Sequence, residues 1–126
     1  MSGAPYPKAS QLARGERRYR RKVASPKQWQ SIIAAKGRTC RCRDWTAGHL
    51  TTKPIEYHHV VPRDLGGDDV ADNIVPLCRS CHYGITTRHP HFLKFLAARL
   101  TDAEYAYVVG KLGESGMERL FGVGRT

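Results

Sequence analysis

Between His58 and His82 the chain reads H-H-x-x-P-x-x-x-G-G-x-x-x-x-x-N-x-x-x-L-C-x-x-C-H. His58, His59, Asn73 and His82 are residue types suited to phosphodiester hydrolysis. That reaction needs a base to deprotonate water, a cation to take up charge on the phosphoryl and leaving oxygens, and groups that position both. Imidazole serves as base or as metal ligand, and a carboxamide can orient the loop that holds a ring. Adjacent residues of an extended strand point to opposite faces, so His58 and His59 take different roles there, one ligating and one acting as base. The constellation is nuclease-like.

The flanking sequence predicts the elements that must position these groups. Ile55 to Val61 reads as a strand ended by Pro62, and Gly66-Gly67-Asp68-Asp69 as a turn-rich loop. Ile74 to Leu77 reads as a second short strand and Arg79 to about Thr87 as a helix, giving a strand, loop, strand, helix unit. Upstream, Ser25 and Pro26 have the form of an N-cap and a first helical residue. Trp29, Ile32 and Ile33 then share an apolar face, Gly37 ends the segment, and this helix should pack beside the metal site. Downstream, Phe92, Leu93, Phe95, Leu96 and Leu100 form an apolar helical face, and Thr101-Asp102-Ala103-Glu104 has the form of a capping box. From Gly110 onward the glycines predict loops around a short helix at Met117 to Phe121. Phe92, Leu96, Tyr105 and Val108 are assigned to the core. The fold class is α+β, with a basic arm over 1–24 and one domain over 25–126, whose motif core is 39–87 and whose C-terminal helices lie within 91–121.

With 126 residues the chain is the size of one domain with a modest core. Its 21 Lys and Arg against 11 Asp and Glu give a formal charge of +10, which favours a polyanionic partner. Nucleic acid is the first such partner and an acidic membrane surface the second. No apolar run approaches bilayer length and the first residues hold no hydrophobic signal core, so the reading is a soluble, cytoplasmic protein. The cluster Arg14, Arg17, Arg18, Arg20, Arg21 and Lys22 reads either as a phosphate-tracking arm or as a solvated tail. Arg63, Arg79 and Arg88, beside or within the motif, are candidate phosphate contacts. Trp45, Tyr57 and Tyr83 either stack on bases or pack in the domain.

Four cysteines arrive as two close pairs, Cys40/Cys42 and Cys78/Cys81. In a reducing compartment such pairs are metal ligands more often than disulfides, and a structural zinc held by thiolates would staple the unit together. Cys78-x-x-Cys81 has the usual spacing. Cys40-x-Cys42 is one residue short of it, so Asp44 or His49 can stand in for one thiolate, although all four cysteines are the preferred set.

The segment from about Thr39 to Thr87 resembles the HNH endonucleases, members of the ββα-metal (His-Me finger) group. His58 and His59 match the paired opening residues, Asn73 the central asparagine and His82 the closing histidine, while Pro62, Gly66, Gly67, Leu77, Cys78 and Cys81 match further family positions. The resemblance implies a ββα-metal finger with a zinc knuckle, flanked by helices. It also implies His59 as general base, His58 and His82 as ligands of a catalytic divalent ion (Mg, Mn, Ni or Zn), and Asn73 as the residue that fixes the loop around His59. The activity implied is metal-dependent hydrolysis of DNA, by nicking or double-strand cleavage, leaving a 5′-phosphate and a 3′-hydroxyl. Some relatives add a histidine one turn after the closing one, where this chain has Thr86. Small free-standing proteins of this kind are often phage-encoded, which adds phage packaging proteins to the partners implied. A zinc-containing DNA-binding module without activity is the alternative.

Overall fold

The computed structural model describes residues 21–42 and 54–122. Arg14, Arg17, Arg18 and Arg20 of the arm, and Asp44, Trp45 and His49, lie outside the described residues.

Helix α1 runs over Pro26–Lys36 and opens with a full capping box. Ser25 Oγ accepts from the Gln28 N–H at 3.2 Å, and Gln28 Oε1 accepts from the Ser25 N–H at 2.8 Å. Pro26 occupies the first turn, where its missing N–H costs nothing. Gly37 ends the helix at φ 78°, a left-handed value that a Cβ disfavours. Of the predicted apolar face only Ile32 is buried, with Trp29 and Ile33 half-buried, because α1 meets the fold along a narrow stripe against the turn at residues 71–73 and the second strand.

Strand β1 (Ile55–His59) pairs antiparallel with β2 (Ile74–Cys78), in a register running from Ile55 opposite Cys78 to His59 opposite Ile74. β1 stops two residues short of the predicted Val61. The cause is Asn73, whose carbonyl accepts from the Val60 N–H at 2.9 Å and whose Oδ1 accepts from the Val61 N–H at 2.7 Å. A side-chain bridge there replaces the strand ladder. β2 accommodates Pro76 because a two-stranded sheet leaves one edge without a strand partner, and the Pro76 carbonyl accepts from the Arg41 N–H at 2.9 Å. Single 3-10 turns at Arg63–Leu65 and Ala71–Asn73 shape the connection between the strands. Helix α2 (Arg79–Thr86) follows β2 directly and completes a ββα unit.

Three more helices follow: α3 (Pro90–Arg99), α4 (Asp102–Leu112) and α5 (Gly116–Phe121). The capping box at α4 is present, with Thr101 Oγ1 accepting from the Glu104 N–H at 3.1 Å and Glu104 Oε1 accepting from the Thr101 N–H at 2.8 Å. α4 passes through Gly110, where a loop was expected, and ends at Gly113 with φ 83°. A glycine inside a helix costs about 1 kcal/mol, which the cap and the buried Val108 outweigh. Val61, Val75 and Leu77 of the ββα unit share one core with Leu93, Leu96, Val108, Met117 and Phe121 of the later helices. Phe92 and Tyr105 pack at its margin, half-buried.

Beneath this core lies a buried charge. Glu104 is fully buried and accepts from Lys36 Nζ at 2.5 Å and from Arg41 Nη1 and Nη2 at 2.6 and 2.9 Å. It thereby joins the end of α1, the cysteine-bearing segment 40–42 and α4. Among the described residues no helix is long and apolar enough to cross a membrane.

Candidate active site

The sheet sends its two adjacent histidines in different directions. His58 faces α2, where its ring centroid lies 5.1 Å from that of His82, edge to face. Burial, with repulsion from His82 and His59, pushes the His58 ring down to about 3, so it is neutral and can offer a lone pair. His82 sits one turn into α2, and its Nδ1 lies 2.7 Å from Glu56 Oε1. Glu56 also accepts from Arg79 Nε at 3.4 Å, and the His82 bond together with Arg79 holds its carboxyl below the ordinary range. An ionised carboxylate only accepts, so the His82 Nδ1 is the nitrogen that carries hydrogen toward Glu56, which leaves Nε2 as the nitrogen available to face a metal. A carboxylate behind a histidine in this way is the usual support of a metal-ligating imidazole. His58 and His82, side by side on the lining of one cleft, are the pair of imidazoles that could hold a divalent ion with open positions.

His59, the last residue of β1, points toward α1 and the loop. Its ring meets Trp29 edge-on at 5.8 Å, and its Nε2 lies 2.7 Å from Asp69 Oδ1. Burial lowers the His59 ring below the ordinary histidine value against the opposing pull of Asp69. Asp69 is itself buried, accepting from Arg21 Nη2 on Oδ1 and from the Ala24 N–H on Oδ2 at 2.9 Å. Burial opposes its charge, yet the Ala24 N–H, the His59 ring and Arg21 prevail and hold the carboxyl below the usual carboxylate range.

Asn73 is fully buried and spans the loop from inside. Besides the Val61 N–H, it bonds through Nδ2 to the Val61 carbonyl at 3.1 Å and the Asp68 carbonyl at 3.0 Å. Gly67 lies so close to the same strand end that a Cβ would fall 1.7 Å from the Val61 carbonyl oxygen. From outside, α4 clamps the loop: Tyr107 donates to Asp68 Oδ2 at 2.6 Å, and Lys111 Nζ lies 3.0 Å from the same oxygen.

His58, His59 and His82 border one cleft of about 630 Å³, whose rim carries Arg63 and Arg88 and whose floor includes Ile85, Leu93 and Phe121. Arg63 is exposed. Arg88 adopts φ 60° and donates from Nη1 to the Leu120 carbonyl at 3.0 Å. Arg79 lies beside Glu56 with its side chain 76% exposed, away from that lining.

Across the unit, the sulfurs of Cys40, Cys78 and Cys81 lie within 4.8 Å of one another, all buried. Tetrahedral bonds of about 2.3 Å to a zinc ion would set sulfurs about 3.8 Å apart, so three thiolates here fit one ion. Cys42 is fully buried and stands outside that trio, while its thiol hydrogen-bonds to Cys40 and Cys81. The bonds that Cys42 and Cys81 make to Cys40 hold the Cys40 thiol well below its ordinary range, and the bond to Cys40 is the main reason Cys42 is pushed up to about 12.

Three side chains beside these histidines were not read as such in the sequence: Glu56 was not singled out, Asp69 was read only as part of a turn and Arg21 only as part of a basic cluster. Glu56 and His58 share a strand face by i, i+2 spacing, which is the one signal that could have marked Glu56.

Residues 40–88 match the family model described as HNH endonuclease. The matched stretch holds both strands and the helix of the ββα unit, so fold and match agree over this segment. Among curated proteins, the chain is 38% identical over 53 residues to the probable mobile endonuclease C of Enterobacteria phage T4. The shared stretch is 42% of this chain and 24% of that protein, so the chain spans about a quarter of the relative's length. That description names a mobile endonuclease and no packaging assembly. No solved structure matches the chain.

Proposed function

We propose that the protein is a metal-dependent DNA endonuclease in which His59 is the general base and His58 and His82 hold a catalytic divalent ion. The observation that carries this reading is the convergence of the three imidazoles on one cleft, with His82 backed by Glu56 and His59 backed by Asp69. A bound divalent ion would neutralise charge developing on the phosphoryl and leaving oxygens. His59 takes the proton of the attacking water, and the product carries a 5′-phosphate and a 3′-hydroxyl. Asn73 keeps the strand end and the loop at fixed separation, so the base does not drift from the ligands. Arg63 and Arg88 neutralise phosphates flanking the scissile bond, and Arg79, at the start of α2, contacts the DNA backbone outside the cleft. Cys40, Cys78 and Cys81, with Cys42 closing the set, hold a structural zinc with no open position for chemistry.

The test is incubation of supercoiled plasmid with wild type and His59→Ala, each with EDTA, Mg, Mn, Ni or Zn. Nicked or linear product that requires both metal and His59 supports the proposal. Folded, DNA-binding protein that cleaves under no metal returns the chain to a binding module.

A further inference from the structure

We propose that Asp69 is a positioning residue for His59, and that Arg21 to Ala24, the root of the basic arm, is built into the active site through it. This rests on His59 acting as the base. Asp69 is the hydrogen-bond partner that the described residues give the His59 ring, at 2.7 Å, and its own side chain is only 2% exposed. With Arg21 on one oxygen and the Ala24 N–H on the other, the carboxylate cannot turn away from the imidazole. It has no proton to give, so His59 Nε2 must carry the hydrogen and the lone pair rests on Nδ1. The tautomer and the ring angle are thus set by one carboxylate, as in other sites where an acid stands behind a working imidazole.

The carboxylate is held in turn by the arm. The Asp69 N–H donates to the Lys22 carbonyl at 2.9 Å, Arg21 Nε donates to the Gly67 carbonyl at 2.8 Å, and the Lys22 N–H donates to Asp68 Oδ1 at 2.6 Å. Residues 21–24 and 67–69 therefore form one bonded strip, although more than forty positions separate them. A charge-tracking tail needs no such strip. Arg21 here serves the base, and its loss should be read in turnover more than in DNA affinity.

The experiment has two readouts on the full chain. Long-range ¹H–¹⁵N spectra of the histidines assign the His59 tautomer without reference to activity. Wild type should show Nε2–H, and Asp69→Asn, whose amide can donate as well as accept, should show a mixture or the reverse. A wild-type ring carrying its proton on Nδ1 overturns the proposal even if every variant fails to fold. In plasmid cleavage, Asp69→Asn should lower kcat by about 10- to 100-fold with KM held within about twofold, the range typical of lost support to a working imidazole. Arg21→Ala should lower kcat by a smaller factor in the same direction, with partial recovery in Arg21→Lys. Loss confined to KM, or unchanged kcat in Asp69→Asn, overturns it. Wild type that is inert with every metal yet shows the Nε2–H tautomer would sink the nuclease reading while leaving the orientation of His59 in place.

Discussion

Replacing Asn73 tests whether one carboxamide holds the loop at residues 66–69 to the strand. The side chain is fully buried and satisfies the Val61 N–H at 2.7 Å and the Val61 and Asp68 carbonyls at 3.1 and 3.0 Å. A neutral hydrogen bond contributes about 1 kcal/mol net, but a buried group left without a partner costs roughly 1–3 kcal/mol, so Asn73→Ala should lose about 3–5 kcal/mol. Domains of this size have about 5–15 kcal/mol in total, so the variant should fold marginally. Asn73→Asp separates the acceptor from the donors. One oxygen still receives the Val61 N–H, while the other faces two carbonyls and has nothing to donate unless it is protonated. Burial and those carbonyls raise the new carboxyl's pKa in the folded state, so folding takes up a proton. The deficit should then grow with pH above the unfolded value near 4, by up to about 1.4 kcal/mol per unit until the folded pKa is passed. Urea unfolding of wild type and both variants at pH 5.5 and pH 7.5 reads these terms directly. A cost under about 1 kcal/mol for Asn73→Ala, below what even one stranded group should exact, would refute the reasoning. So would a deficit in Asn73→Asp that is identical at the two pH values.

Further predictions follow the same logic. Glu104→Ala strands Lys36 and Arg41 beside a buried void and should cost about 3–5 kcal/mol in thermal or urea unfolding. Burial works against the Glu104 charge, but Arg41, Lys36 and the Thr101 N–H hold its carboxyl below the usual range. Its contribution is therefore complete above the unfolded carboxylate pKa and disappears as pH falls through the lower folded value, so acid unfolding of wild type should be steeper than that of Glu104→Gln. Gly67→Ala places a methyl 1.7 Å from the Val61 carbonyl oxygen and should yield no folded protein by circular dichroism. If the cysteine cluster holds a structural ion, stripping metal with a strong chelator should lower Tm in wild type and leave Cys78→Ser, already weakened, largely unmoved.

Much of this arrangement was legible because it is local. Ser25 with Pro26, and Thr101 with Glu104, are caps whose partners sit within three residues, and both helices start where those residues stand. The ββα order follows from alternation, turn residues and the apolar run after Asn73. What escaped is carried by charges whose partners are remote. Asp69 within Gly-Gly-Asp-Asp looks like any turn acid, and nothing in the chain announces that Arg21, 48 positions earlier, completes it. Glu104 was legible as a cap but not as the partner of Lys36 and Arg41, 68 and 63 positions away. The early end of β1 escaped for a related reason, since a side chain can close a ladder and strand patterns register only backbone pairing.

The carboxylate of Glu104 and the hydroxyl of Tyr107 carry a lesson for anyone wishing to transplant this histidine-bearing ββα motif. The stretch matched to the family spans 40–88, yet the cations at Lys36 and Arg41 and the loop at Asp68 are neutralised or clamped from α4, beyond its end. A graft limited to the matched stretch would carry an orphaned Arg41 and an unclamped loop, and Val61, Val75 and Leu77 would lose their cover from α3 to α5. The stretch that is recognisable by sequence is thus shorter than the stretch that can fold, and the minimal transferable cassette begins at the arm's root and runs through α5.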